Sequence, residues 1–265
     1  MSSKPITVIT PTRDRPAGFR LCRDWMRRQT CRDDIDWVVV DDGDNPVGAH
    51  NLEYRYFRGP TSNKKFTNFD NVLFGLEHAD GQVVMYIEDD DWISPNYVQN
   101  MVDNVSGCTA AALGGDLIYH IGYRRYIDHR IAPKEARSRL RFMGSFCVAR
   151  EGIEVLRQAC IDASKVEDPL IDLRFWRLID SRKLPFRVFS GLDIVKIKGI
   201  PGRSITWKHR ADMGTRDPDE KYLRSLIGDE DTDAILKASE GWEKWIERWT
   251  NENLQKPNKK ALSNL

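Results

Sequence analysis

Short, nearly continuous apolar runs alternate with helix-period stretches through the first half of the chain. Residues 6–10, 37–40, 54–57 and 83–87 are brief and rich in β-branched and aromatic side chains, and these predict strands. Between them, residues 18–29 place Phe19, Cys22, Trp25 and Met26 on one helical face with basic residues interleaved. Residues 69–79 repeat the pattern with Val72, Leu73 and Leu76. Apolar strands separated by helices predict an α/β chain whose mostly parallel central sheet is covered on both sides. In such sheets ligands bind beyond the carboxyl ends of the strands, so the polar groups just after each strand carry the functional information.

Past Trp92 the pattern loosens. Residues 110–113 and 117–121 are apolar, 124–141 are basic and 142–148 apolar again, which predicts a strand-rich, substrate-side region. Residues 153–163 and 169–180 read as helices and 186–197 as strand. In residues 232–249 Trp242, Trp245 and Trp249 fall on one helical face, predicting a C-terminal helical extension. The expected division is a main domain over residues 1–228, with a nucleotide-binding part at 1–100 and an acceptor-side part at 101–228. A Trp-rich helix and tail follow at 229–265.

Composition refines this only slightly. With 265 residues, 40% hydrophobic and 31% charged, the chain can bury a sizeable core. A net charge of +1 removes any global attraction to nucleic acid or an anionic membrane and leaves only local patches to argue from. No stretch approaches the ~20 apolar residues of a membrane helix. Residues 1–5 lack the basic and apolar regions of a signal peptide, so a cytoplasmic protein is expected. Cys22, Cys31, Cys108, Cys147 and Cys160 are odd in number and scattered, which predicts free thiols.

The most informative feature is that three predicted strands end in acid: the first runs into Thr12-Arg13-Asp14-Arg15, the second into Asp41-Asp42-Gly43-Asp44 and the fourth into Glu88-Asp89-Asp90-Asp91. Four adjacent carboxylates repel one another unless a cation or a set of donors sits among them, and hard Mg²⁺ or Mn²⁺ is the economical choice. A solvated acidic turn is the alternative. For Asp41 and Asp42 a simple turn is the alternative, because Asp-Gly favours turn geometry.

These motifs resemble the nucleotide-sugar-dependent glycosyltransferases of the GT-A fold, the inverting family 2 type, over roughly residues 5–210. That family opens on a strand running into Pro-Thr-x-Asn-Arg-Pro, here Pro11-Thr12-Arg13-Asp14-Arg15-Pro16 with Asp14 for Asn. Its second strand ends in Asp-Asp-Gly-Ser, matched by Asp41-Asp42-Gly43 with Asp44 for Ser. An Asn begins a helix ending Ala-x-Gly, matched by Asn71 and Ala79-Asp80-Gly81. The metal motif, usually Asp-x-Asp-Asp-Trp, reads Glu88-Asp89-Asp90-Asp91-Trp92, with Glu88 in place of the first Asp.

The resemblance implies transfer of a sugar from a nucleoside-diphosphate donor, taken as a UDP-sugar, to a hydroxyl with inversion, using Mn²⁺ or Mg²⁺. It places the nucleotide at Thr10, Pro11, Thr12, Arg15, Asp42, Asn71 and Asp89, and the metal at Asp90 with a late His209. Inversion needs a carboxylate to take the acceptor proton. The family's Glu-Asp motif is matched by Glu167-Asp168, making Asp168 the general base; Asp168-Pro169 also reads as an ordinary helix cap. Gly144 and Ser145 would line the acceptor cleft, with Glu167 beside it, and Lys208, Arg210 and Arg216 would hold phosphate oxygens.

The acceptor is left open. The basic, aromatic-bearing stretch at 124–141 suits a polyanion, an anionic glycan, a phosphorylated glycolipid or nucleic acid with a hydroxylated base, or is simply a solvated face. The Trp helix reads as core or a homodimer contact. Two rival functions stand beside this one: a glycan- or nucleotide-sugar-binding module without turnover, and an aspartyl phosphatase built on Asp42-Gly43-Asp44, which lacks the Gly-Thr that normally follows.

Overall fold

A computed structural model describes residues 4–48, 53–60, 64, 66–131, 146–167, 170–202, 214–245 and 247. The main sheet is built from β1 (Ile6–Thr12), β2 (Ile35–Asp41), β3 (Arg55–Arg58), β4 (Val83–Tyr86), β6 (Ala110–Leu113), β9 (Phe146–Ala149) and β10 (Phe186–Phe189). A second sheet holds β5 (Asp91–Ile93), β7 (Leu117–His120), β8 (Arg125–Asp128), β11 (Ile194–Lys198) and β12 (Thr215–Arg216). The helices are α1 (Pro16–Arg27), α2 (Asn68–Glu77), α3 (Tyr97–Val105), α4 (Ile153–Val166), α5 (Ile171–Ser181), α6 (Lys221–Ile227) and α7 (Asp229–Ala238).

The main sheet runs β10-β6-β9-β4-β1-β2-β3, and β9 alone opposes its neighbours, so the sheet is mixed but mostly parallel as expected. Its central strands are buried along nearly their whole length because both faces are covered, whereas the edge strands β3 and β10 carry Arg55, Arg58 and Arg187. Val38 and Val40 of β2 pack with Phe69, Val72 and Leu76 of α2, while Trp37 and Val39 pack with Phe19, Trp25 and Met26 of α1. The period of two in the strand meets the period of 3.6 in each helix. Pro16 opens α1, where its missing N–H costs nothing. The cysteines are free, and Cys108 alone is not buried.

Of the strand-rich region expected beyond Trp92, β7 and β8 lie in the second sheet, ordered β12-β8-β7-β11-β5, whereas β6 and β9 return to the main sheet. The chain passes from one sheet to the other directly, since β4 ends at Tyr86 and β5 begins at Asp91. The acidic motif is therefore the joint between the sheets. The stretch 186–197, expected as one strand, is two: β10 pairs with β6 in the main sheet and β11 with β5 and β7 in the second. A single straight strand cannot serve two sheets. The break falls at residues 190–193, where Asp193 accepts hydrogen bonds from Ser94 Oγ at 2.7 Å and Asn100 Nδ2 at 3.0 Å.

The C-terminal helix also differs from expectation. It does not run unbroken from 232 to 249: α7 ends at Ala238 and the chain turns through Gly241 at φ +80° before Trp242. The turn lets Trp242 bury its indole edge-on against His120 and Tyr123, over Gly122, where a Cβ would lie 2.6 Å from the ring. Trp242 is thus core; Trp249 lies outside the described residues.

One carboxylate holds α7 in place. Asp231 accepts from Trp25 Nε1 of α1 at 3.1 Å, from Trp92 Nε1 of β5 at 2.6 Å and from Arg28 Nη2 at 2.6 Å. Asp231→Ala leaves two buried indole N–H groups without an acceptor, and we expect a loss of roughly 2–4 kcal/mol in urea unfolding. Asp231→Asn, which keeps one acceptor oxygen, should cost less.

Candidate active site

The parallel register brings three strand ends to one edge. Thr12 of β1 stands opposite Asp41 of β2, Ile9 stands opposite Tyr86 of β4, and Ile87 N donates to Ile9 O. The loops that follow are locked to each other. Asp41, fully buried, accepts from Gly43 N and Val47 N at 2.8 Å each and from Tyr56 Oη at 3.2 Å. Its role is the turn. A Cβ on Gly43 would lie 2.6 Å from Asp14 N, so the residue after Asp42 must be small. Asp14, left-handed at φ +53°, accepts from Asn45 N at 2.9 Å. Asp42 accepts from Asn71 Nδ2 at 2.7 Å and pairs with Arg13 at 3.3 Å. Its Oδ2 and Asn71 Oδ1 are buried and receive no hydrogen bond.

The acidic motif sits beside this pair. Thr12 Oγ1 donates to Asp89 at 2.7 Å, and the Arg15 guanidinium bridges Asp89 at 2.7 Å and Asp90 at 2.5 Å. Two lysines of β11 reach in from the second sheet. Lys196 stands opposite Asp91 in the ladder and its Nζ lies 2.6 Å from that carboxylate. Lys198 Nζ lies 3.4 Å from Asp90. Burial alone would push the Asp90 carboxyl up, but Arg15 and Lys198 outweigh it and hold the group down at about 2. Asp89, equally buried and repelled by Asp90, is pushed up to about 6 even against Arg15. Burial would lower the ammonium of Lys196, yet Asp91 and Glu88 keep it above its ordinary value.

The residues present fit a hard divalent cation. Glu88, Asp90 and Asp91 place one oxygen each within 4.8 Å of one another, and Asp90 Oδ1 and Asp91 Oδ1 are buried without a hydrogen bond. An all-oxygen set suits Mg²⁺ or Mn²⁺.

The structure thus brings Thr12, Arg15, Asp42, Asn71, Asp89 and Asp90 to one place. Pro11 is buried in β1 beside them, and Thr10 is also buried, its hydroxyl accepting from Trp37 Nε1 at 3.0 Å. Glu167 is the exposed, left-handed cap that ends α4. The residue that precedes the first turn of α5 is Leu170. Arg216 is exposed in β12, paired with Arg125 of β8. Asp168, Gly144, Ser145, Lys208, His209 and Arg210 lie outside the described residues, as do residues 132–141 of the basic stretch.

Sequence reasoning missed Lys196 and Lys198. In Ile194-Val195-Lys196-Ile197-Lys198 they read as the solvent side of an alternating strand. The available signal was the demand for counter-charge made by the four carboxylates.

Because Asp90 is held below its ordinary 3.8 in the folded chain, its stabilising contribution is complete above about pH 4 and is lost as the pH falls toward 2. Asp89, pushed up by burial, acts in the opposite sense over this range, so the loss is read as the difference between unaltered protein and Asp90→Asn in urea unfolding between pH 2 and 5. The loss should be absent from Asp90→Asn.

Comparison with known proteins agrees with this geometry. Residues 7–153 match the sequence profile of Glycosyl transferase family 2. Solved structures of S. aureus TarS 1-349 are similar in fold. The complex with UDP-GlcNAc is 14% identical at a TM-score of 0.54, covering 94% of this chain and 75% of that one. The UDP complex is 13% identical at 0.53, covering 72% of this chain and 60% of that one. A comparison with curated protein sequences returned no match. With more than half of its length matched and its strand ends converging on the acidic motif, the chain belongs to glycosyl transferase family 2 and has the GT-A fold.

Proposed function

We propose that this protein transfers a sugar from a nucleoside-diphosphate donor to an acceptor hydroxyl with inversion, dependent on Mn²⁺ or Mg²⁺. The observation that carries the reading is the meeting of the β1, β2 and β4 ends around Glu88–Asp91 in a chain of this family. A UDP-sugar is the donor proposed, consistent with TarS having been solved with UDP and with UDP-GlcNAc.

In this reading Asp42 and Asn71 face the nucleoside, Asn71 with a buried Oδ1 that accepts no hydrogen bond and Asp42 with an Oδ2 engaged only by the Arg13 ion pair at 3.3 Å. Thr12 and Arg15 keep Asp89 and Asp90 in place. Glu88, Asp90 and Asp91, with His209, hold the cation. When bound, the cation supplies positive charge against the charge developing on the departing diphosphate. Asp168 takes the acceptor proton, directly after the left-handed Glu167 cap. Gly144 and Ser145 line the acceptor cleft, and Lys208, Arg210 and Arg216 hold phosphate. The acceptor is an anionic glycan, a glycolipid or a modified nucleic acid. No helix among the described residues is long and apolar enough to cross a membrane.

Calorimetric titration with nucleoside diphosphates and nucleotide sugars, first with Mn²⁺ and then with EDTA, tests the reading. One nucleotide should bind with metal and be released by chelation; indifference to all of them would sink the proposal. Asp168→Asn should lower kcat by roughly 100- to 10,000-fold with donor affinity unchanged. Full turnover in that variant would remove the base assignment.

A further inference from the structure

The acidic motif already holds cations of the protein's own, and one of them stands where a metal would. Lys198 Nζ is 3.8 Å from Glu88 Oε2, 3.4 Å from Asp90 Oδ2 and 3.7 Å from Asp91 Oδ1. These are the three carboxylates whose oxygens cluster as a ligand set. Mg²⁺ draws its oxygens to about 2.0–2.1 Å. Three carboxylates cannot close to that distance around a metal with an ammonium still among them, and two like charges a few ångströms apart repel strongly at low dielectric.

Charge arithmetic points the same way. Among the described residues, Glu88, Asp89, Asp90 and Asp91 face Arg15, Lys196 and Lys198, an excess of one negative charge. A divalent ion added to that set would overshoot by one positive charge, whereas a divalent ion in place of the Lys198 ammonium makes it neutral. Of the two lysines only Lys198 is free to go. Lys196 is held at 2.6 Å by the carboxylate opposite it in the ladder. Lys198 makes only contacts of 3.4 Å or more to these carboxylates, is the last residue of β11, and is followed by Gly199 at φ +97°, where the strand ends.

We propose that Lys198 is an internal counter-cation that occupies the Glu88–Asp90–Asp91 site and is displaced when a divalent metal binds. The inference rests on the metal-dependent reading above. It assigns Lys198 a double effect: it keeps the metal-free motif from repelling itself apart, and it sets a threshold that the metal must exceed.

Two measurements on the whole chain test it. In calorimetry with Mn²⁺ alone, Lys198→Met should bind the ion at least ten-fold more tightly than the unaltered protein; equal or weaker affinity overturns the displacement. If neither protein binds Mn²⁺ alone, the displacement fails while the metal-dependent reading is decided by the titration with nucleotide above; equal binding by both likewise overturns only the displacement. The second measurement needs no variant and so survives a Lys198→Met chain that does not fold. Reductive methylation followed by peptide mass spectrometry should label Lys198 several-fold faster in Mn²⁺-saturated protein, with exposed Lys183 unchanged. Unaltered labelling of Lys198 in protein that calorimetry shows to be saturated overturns the proposal.

Discussion

Everything at this site follows from the cost of burying carboxylates. Asp89, Asp90 and Asp91 are each almost wholly removed from solvent, and an unpaired buried charge costs several kcal/mol. Counter-charge must therefore be brought to them, and it comes from two directions. Arg15 arrives from the loop before α1, and Lys196 and Lys198 from β11, more than a hundred residues later. The motif is also where the chain leaves one sheet for the other, between the end of β4 at Tyr86 and the start of β5 at Asp91, and the ion pairs are dense there. Electrostatics here adds to the β5–β11 ladder, in which Lys196 stands opposite Asp91.

The rest of the donor-side cleft is built by using up polar groups. Thr10 is spent on Trp37, Thr12 on Asp89 and Asp41 on two backbone amides, each fixing a loop relative to a strand. Such internal commitments reduce the number of groups left to meet a ligand, and they hold those few in one geometry. Asp42 and Asn71 keep one buried oxygen each without a hydrogen bond; Asp42 directly follows β2, and Asn71 reaches it from α2. Rigidity and selectivity have the same origin in this arrangement.

What the sequence makes legible is what depends on local pattern. Apolar runs fall within a residue or two of β1, β2, β3, β4, β6 and β7, and helical periodicity finds α1 and α2, because burial on both faces leaves no ambiguity about phase. Asp90 and Asp42 are legible because their neighbours repeat a known motif. Lys196 and Lys198 are not, since alternation with Val195 and Ile197 is the signature of a half-exposed strand, and only a partner far along the chain turns that polar face inward. The split of 186–197 into β10 and β11 was hidden for a related reason: no local signal says that two halves of one apolar stretch pair with different sheets.

Asp231 shows how far the site's scaffold extends. In sequence it is one of three acids in the first turn of α7, a place that helix electrostatics favours regardless of function. In the fold it receives the indole N–H of Trp92, the residue directly after Asp91, and of Trp25, in the helix whose approach carries Arg15. The two segments that supply an acid and its counter-charge are thus tied to the same carboxylate. A helix that reads as an extension is part of what keeps Arg15 within reach of Asp89 and Asp90, because any shift of α1 against β5 must first break the bonds that Asp231 makes to both.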